Sequence, residues 1–244
     1  MLEPSEVARA LVVTAHPDDV DFGAAGTIAT WVSQGIEVSY CICTDGGAGG
    51  ADPDVPRQDI PGIRRAEQIA AAAAVGVSDV RFLGYLDGEL VVSHELRRDI
   101  VRVIRQVRAD RMLIQSPERN WDRIGASHPD HLAAGEAAIQ AVYPDARNPF
   151  AHTSLLQDEG LEPWTVREVW LMADGRPNHW MDVSEHMDAK LAALKAHHSQ
   201  TAHMDDMPGM ITGWMKLGAD TARSNGYPFG EDALAEAFRV VSTG

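Results

Sequence analysis

Disulfides, basic residues and long apolar runs are all scarce in this chain. Its 244 residues include two cysteines, Cys41 and Cys43. They stand two apart in the strand-like run Val38-Ser39-Tyr40-Cys41-Ile42-Cys43 and so point to one face, where a bridge between them is sterically poor; buried free thiols are expected. Lysine and arginine together number 21 against 36 acidic residues, a formal net charge of −15. That balance argues against nucleic acid as a partner, because a phosphate backbone would be repelled, and against an anionic membrane surface. Arg64-Arg65 is the obvious candidate for a local basic patch. No apolar run approaches the roughly 20 residues of a spanning helix. The start, Met1-Leu2-Glu3-Pro4-Ser5-Glu6, is acidic and does not read as a signal peptide, so a soluble, cytoplasmic protein is expected. The hydrophobic share of 45% is enough for a substantial core, and the charged share of 23% does not point to disorder.

What is present alternates. Leu11 to Ala15 is a short apolar strand, Ala24 to Ser33 a helix closed by Gly35, and Ile36 to Thr44 a second strand. Residues 45–61 carry the run Gly46-Gly47-Ala48-Gly49-Gly50-Ala51 with Pro53, Pro56 and Pro61, and read as a long loop. A helix follows over Ile63 to Val75, then a strand over Val80 to Leu83. The next helix is Glu95 to Val107, with Leu96, Ile100, Val103, Ile104 and Val107 at helical spacing. Met112 to Ile114 is a fourth strand, and His131 to Val142 a helix. This rhythm predicts an α/β fold, a Rossmann-like, mostly parallel sheet flanked by helices on both faces, with sites at the carboxyl ends of the strands. Beyond Tyr143 the pattern is less regular: strands over Val166 to Ala173 and Trp180 to Val183, a helix over Glu185 to His197, and a short terminal helix over Asp232 to Val241. No repeat or linker is evident. The chain reads as a single domain over 1–244, with a less regular C-terminal subregion from about residue 145.

Two tetrapeptides carry the chemistry. His16-Pro17-Asp18-Asp19 follows the first strand, and His128-Pro129-Asp130-His131 follows the fourth. Zinc takes imidazole nitrogen and carboxylate oxygen, and a catalytic zinc commonly has three protein ligands. His16 and Asp19, three apart in one turn, can reach one ion, and His131 can supply a third ligand. Asp18 and His128 then remain for general base and proton donor, and Asp130 can orient an imidazole. His-Pro-Asp also occurs in ordinary turns and helix caps, but two such motifs, each after a strand, are poorly explained that way.

Together with Gly23, Gly26-Thr27, Thr44-Asp45-Gly46 and Arg64-x-x-Glu67, these motifs resemble the LmbE-like, or PIG-L, deacetylase family over roughly residues 10 to 200. Its members remove acetyl groups from N-acetylglucosamine-type sugars, including precursors of glycosylphosphatidylinositol, mycothiol and bacillithiol, chitobiose and some antibiotics. The resemblance implies a Rossmann-like fold and one zinc, or another divalent transition metal, per chain, held by His16, Asp19 and His131. It implies Asp18 as general base, and His128 as the group that stabilises the oxyanion or protonates the leaving amine, supported by Asp130. It places Arg64 on an arginine that holds substrate and Asp87 on a position that contacts sugar hydroxyls. Two departures stand out: Val20 where many members have Glu, with Asp21 one step on, and Ala126 where some sugar-processing members have Tyr.

The expected function is therefore removal of an acetyl group from a small N-acetylated sugar or sugar conjugate by a zinc-dependent amidohydrolase. The alternatives are an amidase acting on a thiol-sugar conjugate and a non-catalytic metal- or ligand-binding module on the same fold; a metal phosphoesterase ranks lower, since it would want a second metal and more carboxylates. The glycine run lacks the Lys-Ser/Thr of a phosphate-binding loop and is read as a flexible substrate loop. His197-His198 reads as a helix C-terminus, and Trp121 as either a sugar-stacking or a packing residue. Nothing in the pattern decides the oligomeric state, and a homo-oligomer is compatible with it.

Overall fold

In the computed structural model, which describes residues 1–50 and 52–244, seven strands form one sheet. They are β1 (Arg9–Thr14), β2 (Glu37–Thr44), β3 (Asp79–Tyr85), β4 (Arg111–Gln115), β5 (Glu168–Met172), β6 (His179–Asp182) and β7 (Ala235–Ser242). Their order across the sheet is β3-β2-β1-β4-β5-β7-β6. Strands β1 to β5 are mutually parallel, and β7 pairs antiparallel with both β5 and β6. Among the described residues eight α-helices accompany them: α1 (Asp19–Ser33), α2 (Ile60–Ala74), α3 (His94–Val107), α4 (Pro129–Gln140), α5 (Thr153–Gln157), α6 (Met187–Ala196), α7 (His198–Thr201) and α8 (Met207–Ser224). Among the described residues no helix is long and apolar enough to cross a membrane.

Successive strand residues point to opposite faces, and β1 shows the consequence. Leu11 and Val13 pack with Ile100 and Ile104 of α3 and Ala134 of α4. Ala10 and Val12 pack with Ile28 of α1 and Ala71 of α2 on the other side. The predicted stripe of α3 is buried, and the Ser93 hydroxyl caps its start by accepting the Leu96 N–H at 3.1 Å. Cys41 and Cys43 are free and fully buried on the α3 face, and burial pushes the Cys41 thiol up to about 12.

The expected terminal helix over Asp232 to Val241 is instead strand β7. Ala and Glu favour a helix locally, but Ala235 to Ser242 fills the slot between β5 and β6, and the backbone pairing available there overrides propensity. Helix α8 was not anticipated. Its Met207, Ile211 and Met215 are buried at helical spacing, and Asp206 caps it by accepting the Gly209 N–H at 2.9 Å. Three glycines mask that pattern, and Gly218 has a packing reason: a Cβ there would meet the Ala235 carbonyl oxygen at 2.3 Å, where α8 lies on β7.

The chain runs from β1 outward to β3 and then returns to β4 on the other side of β1. That reversal opens a crevice at the carboxyl ends of β1 and β4, the usual place for a site in such a sheet. Ala15, the first residue beyond β1, is tied to both neighbours. Its N–H donates to Gln115 Oε1 at 2.9 Å, and its carbonyl accepts the Thr44 N–H at 2.8 Å.

Candidate active site

His16-Pro17-Asp18-Asp19 forms the turn from β1 into α1. Asp18 holds a left-handed backbone, φ 85° and ψ −25°, a conformation that costs about 1–2 kcal/mol outside glycine and is best tolerated by Asp and Asn. His128 is the residue before α4, and its Nδ1 accepts the Asp130 N–H at 3.2 Å. Pro129 suits the first position of a helix, where no N–H is needed. His131 therefore stands in the first turn of α4, facing the turn after β1.

Three donors converge. His16 Nδ1 lies 3.2 Å from His131 Nε2 and 3.4 Å from Asp19 Oδ2, and His131 Nε2 lies 3.0 Å from Asp19 Oδ1. A tetrahedral zinc with bonds of about 2.0–2.2 Å holds its ligand atoms about 3.4 Å apart, so the set is already near the required separation. The other nitrogen of His16, Nε2, lies 3.1 Å from both Asp130 Oδ2 and Asp87 Oδ1. Carboxylates accept, so Nε2 carries the proton and Nδ1 presents its lone pair to the site. Titration directions agree that the site wants a cation. Burial opposes a charge on His16, but Asp19 and Asp87 more than reverse it and push the imidazole up to about 11. Against burial, Asp19 likewise raises His131, and the two imidazoles hold Asp19 well below the usual carboxylate range. A divalent ion bound here would take the place of such protons.

Two other clusters of potential ligands overlap this one, His16 with His128 and His131, and His16 with Asp87 and Asp130. In the first, His128 caps α4 through Nδ1, which leaves the proton on Nε2 and makes it a donor rather than a ligand. In the second, both carboxylates surround the protonated side of His16 and serve to orient it.

Asp18 stands beside the ligand set without joining it. Burial pushes its carboxyl up to about 7, against the pull of Arg64. His128 shifts the other way: partial burial, then His16 and His131, lower it, so the ring is neutral and offers an Nε2–H. A buried carboxyl of raised pKa, a neutral imidazole and three converging donors thus lie in two neighbouring turns, the residue types that hydrolysis of an acyl bond calls for.

Three expected roles are placed differently by the side chains. Asp130 does orient an imidazole, but its carboxylate holds His16; only its main-chain N–H meets His128. The carboxylate is fully buried and also accepts the Gly88 and Leu90 N–H groups at 2.7 and 3.3 Å. Asp130→Asn is therefore expected to weaken metal binding about 10- to 100-fold, read by competition with a chelator; affinity unchanged within about twofold would remove Asp130 from this role. Arg64 does not reach outward for substrate. It is 4% exposed, and its guanidinium donates to the Pro17 carbonyl at 2.6 Å, the Gly46 carbonyl at 3.0 Å and Asp18 Oδ2 at 3.0 Å. Asp87 is engaged on both oxygens, by His16 and by the Ala48 N–H at 3.1 Å, although it still lines an open cavity.

The glycine run lies over Arg64. A Cβ on Gly49 would meet Arg64 Nη1 at 2.3 Å, so bare backbone is required where the loop crosses the guanidinium. Ala51, the end of that run, lies outside the described residues. Trp121 is 80% exposed, and the Arg119 guanidinium lies over its ring, 5.6 Å from the centroid. Sequence reasoning missed Gln68, whose Oε1 accepts the Asp18 N–H at 2.8 Å. The available signal was its position four residues after Arg64, on the same face of α2. It also missed that Asp21 and His197 form a fully buried pair, Oδ2 to Nε2 2.7 Å.

Two cavities flank the site. One of about 620 Å³ opens over the ends of β2 and β3 and is lined by Asp45, Arg57, Leu86, Asp87 and Glu89 among others. The other, of about 400 Å³, is bounded by Asp19, His131, Arg123, Met172 and Trp214.

The chain is 33% identical over 196 residues to a diacetylchitobiose deacetylase of Thermococcus kodakarensis, covering 80% of this chain and 71% of that one. It superposes on an N,N'-diacetylchitobiose deacetylase from Pyrococcus horikoshii, determined with an inhibitor, with a TM-score of 0.85 and 28% identity, covering 97% of this chain and 85% of the other. The fold alone is shared with the 4-carboxy-2-hydroxymuconate hydratase GalB of Pseudomonas putida, at a TM-score of 0.79 and 21% identity over 96% of this chain and 95% of GalB. Fold likeness therefore does not by itself select the chemistry, and the family must be read from sequence. Residues 11–142, which span both His/Asp motifs, match the profile described as GlcNAc-PI de-N-acetylase, and on that match the chain belongs to the PIG-L family.

Proposed function

We propose that this protein hydrolyses the acetamide of an N-acetylglucosamine-type sugar, releasing acetate and the free amine, with one zinc ion per chain held by His16, Asp19 and His131. The observation that carries the proposal is the convergence of those three donors within 3.4 Å, with Asp18 next to them in the chain and not among the ligands. The deacetylases named above and the family description supply the substrate class. Zinc bound there supplies Lewis-acid activation of the attacking water and the amide carbonyl.

The remaining work falls to the chain's own residues. Asp18 takes a proton from the attacking water and passes it to the leaving nitrogen, so that the carbon–nitrogen bond breaks as the amine is protonated. Arg64 holds the Asp18 carboxylate in place through a 3.0 Å contact. His128 donates Nε2–H to the carbonyl oxygen as negative charge develops on it, a role that a neutral imidazole fills. Of its two expected roles, the lowered basicity of His128 favours this one over protonation of the amine. Asp130 and Asp87 keep the His16 ring in its ligating orientation. The cavity over β2 and β3, of about 620 Å³, has the volume to receive a sugar ring and carries Asp45, Arg57, Asp87 and Glu89 on its wall as hydrogen-bonding groups. A non-catalytic binding module would need neither Asp18 nor His128.

The test is acetate release from purified, zinc-loaded protein offered a panel of N-acetylated sugars and sugar conjugates beside a simple N-acetyl amine without hydroxyls. Sugars should be turned over at least about tenfold faster than the simple amine, because binding the ring orients the reacting carbonyl. Equal turnover of the simple amine and every sugar would end the sugar assignment while leaving amide hydrolysis intact.

A further inference from the structure

Asp18 is held from the protein interior as well as from the site. Its N–H donates to Gln68 Oε1 at 2.8 Å, which orients the amide so that Gln68 Nε2 donates to Asp21 Oδ2 at 2.8 Å. The same Asp21 oxygen meets His197 Nε2 at 2.7 Å. Gln68, Asp21 and His197 are each 0% exposed. They come from three places in the chain: α2, α1 and the junction between α6 and α7. That junction is itself clamped to α2, because Glu67 accepts both the N–H and the hydroxyl of Ser199 at 2.7 Å. None of the three residues touches the reacting atoms in the mechanism above.

Stability alone explains this chain of contacts poorly. A buried acid–imidazole pair loses its hydration, and apolar side chains of the same size often stabilise a core as well or better. Asp21 Oδ1 and His197 Nδ1 are buried with no hydrogen-bond partner among the described residues. What the contacts do accomplish lies at their far end. They hold the peptide N–H of Asp18, a residue in a left-handed conformation that its own backbone disfavours. Arg64 and Gln68, four apart on α2, grip the side chain and the backbone of the same residue.

We propose that His197 is a positioning residue for the reaction: through Asp21 and Gln68 it fixes the backbone of Asp18, so that the carboxylate meets the attacking water at the right place. The inference rests on the assignment of Asp18 as base. The direction of each bond makes it specific. His197 must donate to Asp21, Asp21 must accept twice, and Gln68 must accept from Asp18 while donating to Asp21.

The experiment uses the zinc-loaded full chain and compares His197→Leu, His197→Gln, Gln68→Met and the double variant His197→Leu/Gln68→Met, with Asp18→Asn alongside. A small displacement of a catalytic group can cost up to about a hundredfold, so His197→Leu and Gln68→Met should each lower kcat about 10- to 100-fold. KM and zinc content should stay within about twofold, because neither residue touches ligand or metal. His197→Gln places an Nε2 donor near the position of the imidazole nitrogen and should recover most of kcat. Because both residues act along one path, the double variant should be no slower than the slower single variant. Folded His197→Leu or Gln68→Met at the wild-type kcat, multiplication of the two losses, or a His197→Gln as slow as a folded His197→Leu would each overturn the proposal. If His197→Leu does not fold, Gln68→Met and His197→Gln decide: a slow Gln68→Met with an active His197→Gln supports the proposal, and any other result overturns it. Should Asp18→Asn itself keep full turnover, the base assignment fails and this inference with it. An inactive Asp18→Asn beside a fully active His197→Leu removes only the role of His197.

Discussion

Asp18→Asn is expected to lower kcat by about a hundredfold or more, the usual range for loss of a general base, while zinc content and fold are kept. The substitution isolates proton transfer because it changes little else. Asn is, with Asp, the non-glycine residue best suited to the left-handed backbone at φ 85°. Its side-chain oxygen can still accept from Arg64 Nη2, which stands 3.0 Å from Asp18 Oδ2, and its N–H can still donate to Gln68. The amide cannot take up a proton, and about a hundredfold corresponds to about 2.7 kcal/mol of lost transition-state stabilisation. Asp19→Ala should behave differently, losing metal first, because that carboxylate is part of the 3.0–3.4 Å donor set. Steady-state kinetics with metal analysis on the same preparations separates the two. An Asp18→Asn protein with zinc bound and near-normal turnover would show that another group takes the proton.

The second large effect concerns folding. Lys190→Met is expected to destabilise the protein by about 3–5 kcal/mol, the range for breaking a buried ion pair. Lys190 Nζ donates to the Asp21 and Phe22 carbonyls at 2.9 and 2.8 Å and to Glu236 Oε1 at 2.7 Å. Glu236 in turn accepts the Gly26 and Thr27 N–H groups at 3.2 and 2.7 Å. Both side chains are essentially shut off from water, so methionine leaves a carboxylate held by two helix N–H groups and no cation. For a chain of this size the melting temperature should fall by about 2–4 °C per kcal/mol, or about 6–20 °C in all. Adding Glu236→Gln removes the orphaned charge, keeps an acceptor for α1, and should restore at least half of the loss. Lys190→Met melting within about 2 °C of the parent would mean that the pair is not held together as described.

The two predictions meet in α1. It begins at Asp19, directly after Asp18, and α6 and β7 grip it through Lys190 and Glu236. The C-terminal part of the chain, irregular in sequence, is thus what holds the opening of α1 against the sheet. His197 reaches the same helix from the next segment. The candidate site, drawn from residues 16–131, is thus braced by contacts from residues 190–236.

What sequence alone determined is what covalent spacing governs. His16 and Asp19 lie three apart across one turn, and His128 and His131 three apart at a helix start, so each pair reaches one point whatever surrounds it. The alternation of strands and helices from Leu11 to Val142 was legible because apolar periodicity is local, and the carboxyl-end placement of both motifs follows from a parallel sheet. Choice of partner was decided only by tertiary structure. Asp130 and Asp87 both face His16 because β1 lies between β4 on one side and β2 and β3 on the other, an adjacency set by the whole sheet. Arg64 turned inward because α2 packs its face against the turn after β1, where two carbonyls and a carboxylate await a cation. Within the stretch expected to be a helix, Ala235 to Ser242 form a strand because β5 and β6 leave unpaired backbone on either side of them, and a backbone hydrogen bond left unmade in a buried sheet outweighs the small helical preference of Ala and Glu.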